Sequence, residues 1–194
     1  MRAMTLLMLA ALALGGCATI NQLDSDVATF SQWPVGRKPG GYAFERLPSQ
    51  QARAEQQQTL ENAARRAVEA AGFTPEPDEN AAEFSIQVGA RVSPNERAFY
   101  DNPFWWRGGL NVHRRLSYYS PYWGFNLAAP SYEREVAVLI RDRKTGQALY
   151  EARATTDGTS SASSTLLAAM FEAALKDFPN TGLNPRRVRV ELSP

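Results

Sequence analysis

The chain has 194 residues, 44% of them hydrophobic and 21% charged, a composition that excludes a disordered or collagen-like polymer and suits one globular domain. Lysine and arginine number 21 against 20 acids, and Arg2 lies in the leader described next, so the remainder is electrically balanced and a strongly basic nucleic-acid binder is excluded. One cysteine and one histidine rule out an intramolecular disulfide, and a Cys/His metal site would need distant residues to converge.

Residues 1 to 16 read as a secretory leader, with one basic residue, an apolar run from Met4 to Leu14, then Gly15 and Gly16. That run is far shorter than the ~20 residues a membrane-spanning helix needs, and no later stretch reaches that length. Leu14-Gly15-Gly16-Cys17 resembles the lipobox of bacterial lipoproteins. The resemblance implies cleavage before Cys17 and acylation of its thiol, with residues 17–22 as lipidated cysteine and tether and residues 23–192 as the folded domain. Several acyl chains, at ~0.8 kcal/mol per buried CH₂, make such an anchor effectively permanent. Ala18 stands where aspartate would signal retention in the inner membrane, so the expected location is the outer membrane, with the domain facing the periplasm.

Beyond the tether, Val27, Phe30 or Trp33 should belong to a first strand that starts near Val27. Pro34, Gly36, Pro39, Gly40 and Gly41 then break the chain, and Tyr42-Ala43-Phe44 reads as a second short strand or a continuation of the first. From Gln50 to Ala71 strong helix formers dominate, with Leu60, Ala64, Ala67, Val68 and Ala71 at helical spacing, Ser49 placed to cap the start and Gly72 to end it. Residues 75–80 form a loop. Phe84, Ile86, Val88, Ala90 and Val92 alternate with polar neighbours and predict a strand with one buried face. Residues 132–141 repeat that pattern, Asp142 to Gly146 predict a hairpin loop, and Ala148 to Thr155 the antiparallel return strand. Leu166, Leu167, Met170, Phe171, Ala174, Leu175 and Phe178 mark an amphipathic helix that Pro179 ends, and Val188, Val190 and Leu192 a last strand. The predicted fold is α+β, an antiparallel sheet of about five strands with two helices on one face.

Several of these segments together resemble a family of bacterial envelope proteins, domain of unknown function 4136. Asp24-Ser25-Asp26-Val27 with Phe30, then Gly40-Gly41-Tyr42-Ala43-Phe44, look like its opening strands. Ala64 to Phe73 is similar to its first helix, Ala82-Glu83-Phe84 to the entry of its next strand, Val136 to Tyr150 to its hairpin, and Phe178-Pro179 to the close of its last helix. The resemblance covers residues 23 to 179 and implies the fold and an envelope location. It brings no catalytic residues and no cofactor. The sequence departs from the pattern at Phe44 and Tyr150, where tryptophan is usual, and in the strand that follows Pro179.

Half of the chain's aromatic residues fall within residues 99 to 126: Phe99, Tyr100, Phe104, Trp105, Trp106, Tyr118, Tyr119, Tyr122, Trp123 and Phe125. Arg107, Arg114, Arg115 and His113 accompany them, against the single acid Asp101. A connection of this length is usually functional or mobile. The plain account is added core, since aromatics bury more area per residue than any other type. The sharper one is a ligand-binding platform on which Trp105, Trp106, Trp123, Tyr118 and Tyr119 contact a glycan or lipid while Arg107, Arg114 and Arg115 meet its carboxylates or phosphates. Peptidoglycan, lipopolysaccharide or another envelope protein are the partners this chemistry fits. For catalysis the candidates are sparse. Glu133 and Glu135 share one strand face about 7 Å apart, a spacing a glycosidase pair could use. The serines at 160, 161, 163 and 164 follow no nucleophile-elbow pattern and suit helix capping, and no spacing around His113 suggests a metal site. The expectation is a non-catalytic binding or structural module, with a cell-wall hydrolase or an oligomeric assembly subunit as the alternatives.

Overall fold

Period-two alternation builds the sheet. A computed structural model, which describes residues 21–95, 131–160 and 162–192, gathers seven strands into one sheet. They are β1 (Gln22–Ser31), β2 (Gly41–Phe44), β3 (Thr74–Pro75), β4 (Phe84–Asn95), β5 (Ser131–Asp142), β6 (Ala148–Gly158) and β7 (Arg186–Glu191), in the order β3-β2-β4-β5-β6-β1-β7. Three helices accompany them: α1 (Pro48–Gln51), α2 (Ala54–Ala70) and α3 (Ser164–Leu175). The α+β class is as expected, with two strands more than predicted. The sheet is also mixed, because β2 runs parallel to both β3 and β4 while the other pairs are antiparallel. The parallel pairs arise where the chain leaves β2 and returns through α2, a crossover that brings it back to the same end of the sheet.

The core lies between one sheet face and the two long helices. Val27, Ile86, Val88, Val136, Val138, Ile140, Ala152 and Ala154 face Ala64 and Val68 of α2 and Met170, Phe171 and Ala174 of α3, all buried. At one end of this core Trp33 stacks on Phe84 at 5.3 Å and meets Phe178 edge-on at 4.8 Å, with Phe73 and Tyr42 alongside. Phe178 is therefore a core residue beyond the helix, since α3 ends at Leu175 and not at Phe178 as the pattern predicts.

Other boundaries differ for identifiable reasons. β1 begins at Gln22 rather than near Val27, because Asp24 and Asp26 lie on the open sheet face where Arg189 and Arg187 of β7 pair with them at 2.7 and 3.4 Å. The single helix predicted from Gln50 is broken into α1 and α2. Ser49 sits inside α1 and caps nothing; the Gln50 side chain instead accepts the Leu47 N–H at 2.8 Å. Gly72 does end α2, at a φ of +98° that favours glycine. Ser163 caps α3, its hydroxyl accepting the Leu166 N–H at 3.2 Å. On β4 the buried face stops at Val88, and Val92 is 41% exposed because the helix layer does not reach that far. No described helix is long and apolar enough to cross a membrane.

Candidate functional site

A cleft of about 770 Å³ opens beside β2. Its origin is local. Just past β2, Glu45 donates its N–H to the Ile86 carbonyl of β4, whereas Tyr42 of β2, in the opposite phase, accepts from the Glu76 N–H on the β3 side. Phe44 shares the phase of Tyr42, so its N–H and C=O point away from β4. There β3 has already ended: it pairs only with Gly41 and Tyr42, and the Glu76 N–H makes the last bond to β2. The Phe44 backbone has no hydrogen-bond partner on this side among the described residues.

Three elements wall the cleft. From α2 come Gln58, Glu61 and Arg65, from the β3–β4 connection Glu76 and Glu79, and from the β5 end and the hairpin after it Arg141, Asp142 and Arg143. Glu61, only 3% exposed, is held by Arg46 through two bonds of 2.6 Å, and the same guanidinium donates to the Gln58 side-chain carbonyl at 2.7 Å. The Glu61 carboxylate raises the affinity of Arg46 for its proton above the ordinary guanidinium value. Arg65 lies over the Phe44 ring at 5.6 Å, within cation–π range. The Tyr42 hydroxyl is buried without a hydrogen-bond partner among the described residues; burial pushes its pKa up, and the neighbouring Arg65 charge opposes this. Asp142 is drawn down to about 2, first by the Arg37 guanidinium at 2.7 Å and then by the Thr145 N–H. Of the charged lining residues, Arg65, Arg141, Arg143, Glu45, Glu76 and Glu79 make no ion pair among the described residues. A lining of guanidiniums, carboxylates and amides around one aromatic edge suits a hydrophilic ligand.

Sequence reasoning passed over this cleft, because residues 75–80 read only as a loop and nothing in the pattern says that β3 stops after two residues. Its own candidates fall elsewhere. Trp105, Trp106, Trp123, Arg107, Arg114, Arg115, Tyr118 and Tyr119 lie outside the described residues, as do Asp101, His113 and Cys17. Glu133 and Glu135 share the open face of β5, away from the cleft, opposite Asp157 and Thr155 of β6 and Ser93 and Arg91 of β4. Arg134 points the other way and is 4% exposed, donating to the Ser160 carbonyl at 3.0 and 2.5 Å. No cluster of three or more potential metal ligands occurs among the described residues.

A single mixed sheet with a helical layer on one face defines an α+β domain whose open face carries charge. Its sequence matches the model of the domain of unknown function DUF4136 over residues 23–180, and the chain belongs to that family. Among solved structures it is similar to a PDZ domain protein from Parabacteroides distasonis (TM-score 0.56, 16% identity), covering 94% of this chain and 42% of that one. It thus spans less than half of that protein. A PelC dodecamer from Paraburkholderia phytofirmans (TM-score 0.41, 13% identity) matches over 79% of this chain and 95% of its own. A DUF4136 family protein from Bacteroides thetaiotaomicron (TM-score 0.29, 19% identity) matches over 81% and 94%. No curated protein matches the chain.

Proposed function

We propose that this chain is a lipoprotein of the bacterial outer membrane, anchored through Cys17, whose periplasmic domain is a non-catalytic binding or structural module that turns its aromatic segment toward the lipid surface. The strand register supports this reading. Arg91, Glu135, Thr155, Asp26 and Arg187 are successive partners across β4, β5, β6, β1 and β7. Four residues along each strand from that line stand Asn95, Ser131, Thr159, Gln22 and Glu191, all at one end of the sheet. Gln22, and the residues Asn95 and Ser131 that bracket residues 96–130, therefore stand at the same end. Gln22 and Ser131 are two strand spacings apart, about 10 Å. Five residue steps separate Cys17 from Gln22, at most about 18 Å of extended chain, so an acylated Cys17 holds this end of the sheet against the bilayer. Trp105, Trp106 and Trp123 belong in sequence to the segment bracketed by Asn95 and Ser131 at that end, and amphipathic aromatic side chains of this kind partition into the lipid interface.

Tryptophan fluorescence tests this directly, because Trp33, the remaining tryptophan, is packed in the aromatic core and serves as an internal reference. Titration of the protein with anionic lipid vesicles, lipopolysaccharide and peptidoglycan fragments in turn should give a saturable blue shift with a lipid surface. The shift should vanish in the Trp105→Ala, Trp106→Ala, Trp123→Ala triple variant while the melting temperature is kept. Emission that is already blue, quencher-resistant and unmoved by every ligand would assign these aromatics to the core and sink the reading. Separately, Cys17→Ser should abolish palmitate labelling and release the protein from the membrane fraction.

A further inference from the structure

We infer that the cleft beside β2 is a binding site, independent of Cys17, that takes up a short extended peptide by strand addition to the edge at Phe44, along the lane that β3 leaves after Glu76. The first ground is the backbone. The half-buried Phe44 offers one N–H and one C=O with no partner among the described residues, and buried peptide groups are almost always paired. An added strand supplies the matching acceptor and donor at the spacing of a β-ladder, as β3 does one step earlier. β3 itself shows that the lane accepts a parallel strand, since Gly40 and Tyr42 receive N–H groups from Thr74 and Glu76 at 3.1 and 2.9 Å. The second ground is charge. Arg141 and Arg143 line the cleft at the β5 end, across β2 and β4 from the lane, and Glu76 and Glu79 line it from the β3–β4 connection, each group without an ion pair among the described residues. This fits a peptide that presents a carboxylate to the arginines and an ammonium to the glutamates. The third is size: about 770 Å³ is in the range of small-ligand clefts and leaves room for a few residues.

The test uses the full-length protein in detergent micelles and a dye-labelled peptide that alternates valine with glutamate and lysine. Fluorescence anisotropy should report a Kd of about 1 mM or tighter, and the same peptide methylated on its alternate backbone nitrogens should bind at least ~10-fold more weakly. Hydrogen exchange read by mass spectrometry should slow in the segment Tyr42 to Arg46 when the unmethylated peptide is bound. The double variant Arg141→Glu, Arg143→Glu should reject this probe and take up a version in which lysine replaces its glutamates, a swap of preference that misfolding does not produce. Equal binding of the methylated peptide, unchanged exchange at Tyr42 to Arg46, or no saturable binding at about 5 mM would each overturn the proposal. None of these readouts depends on Cys17 or on residues 99–126, so failure here leaves the membrane reading standing.

Discussion

Asn184 shows how one side chain replaces a length of strand. In the β1–β7 register the partner of Thr29 would be residue 184, two beyond the last paired residues, Val27 and Arg186. The backbone has turned away by then, and the Asn184 amide takes its place, accepting the Thr29 N–H at 2.9 Å and donating to its C=O at 2.6 Å. Asn184→Ala should lower stability by about 1–3 kcal/mol in urea unfolding, and Asn184→Asp should not restore it, because a carboxylate cannot donate to the Thr29 carbonyl. Tyr150 behaves in the opposite sense. Burial raises its pKa to about 12 against the opposing pull of the Arg186 charge, and its hydroxyl finds no hydrogen-bond partner among the described residues. The native state thus holds this proton more tightly than the unfolded chain, whose tyrosine titrates at the ordinary 10.0. Stability should be unaffected by this group below pH 10 and fall as pH rises from there to about 12. Tyr150→Phe should flatten that alkaline limb in thermal melts at no cost near neutrality, since it removes an unpaired buried hydroxyl. Asp142 sets the acid limb. Its folded value of about 2 lies below the ordinary 3.8, so its contribution is complete above 3.8 and is lost as pH falls toward 2. Melting of Asp142→Asn should accordingly depend less on pH across that window than melting of the parent.

Helix α2 is positioned by charge as much as by its apolar stripe. The stripe legible in the sequence, Ala64, Ala67 and Val68, is buried, but so are Gln57 and Glu61, which no hydrophobic pattern marks as interior. Gln57 and Gln50 turn their side-chain amides onto the Val88 carbonyl at 3.2 and 2.8 Å, closing the edge of β4 where β2 no longer covers it. Glu61 is the anchor for Arg46, which follows β2 in the chain. Arg46→Ala should cost about 3 kcal/mol in denaturant unfolding, because it leaves a carboxylate buried alone, and the pair change Arg46→Met with Glu61→Met should cost clearly less. If the double variant is as unstable as the single one, the pair contributes packing rather than charge compensation. β3 makes the complementary point. Two residues with prolines at Pro75 and Pro77 carry no periodic signal, so β3 exists only because α2 delivers the chain alongside β2.

At the scale of the whole molecule the sheet separates two ends. One gathers Gln22, Asn95, Ser131 and the start of α3, and the other the aromatic cluster around Trp33 and the β5–β6 hairpin. If the first end sits at the membrane, vesicle binding should shield backbone amides at Gln22–Asp24 and Tyr132–Glu133 from hydrogen exchange and leave Asp142–Gln147 unchanged; uniform protection would contradict a single oriented contact. What the sequence determined by itself is whatever depends on neighbours along the chain. The alternation of Phe84, Ile86 and Val88, the turn at Gly146, the stop at Gly72 and the serine-rich entry to α3 are local steric and hydrogen-bonding facts, and they yielded the α+β class and the family. The resemblance of Leu14-Gly15-Gly16-Cys17 to a lipobox is likewise local. Only the tertiary structure decided which strands became neighbours, and with that the parallel β2–β4 pair, the acids of β1 paired to arginines of β7, the burial of Glu61 and the free edge at Phe44. Each of these joins residues distant in the chain, through contacts whose strength depends on burial and on distance in space, and periodicity along a sequence records neither.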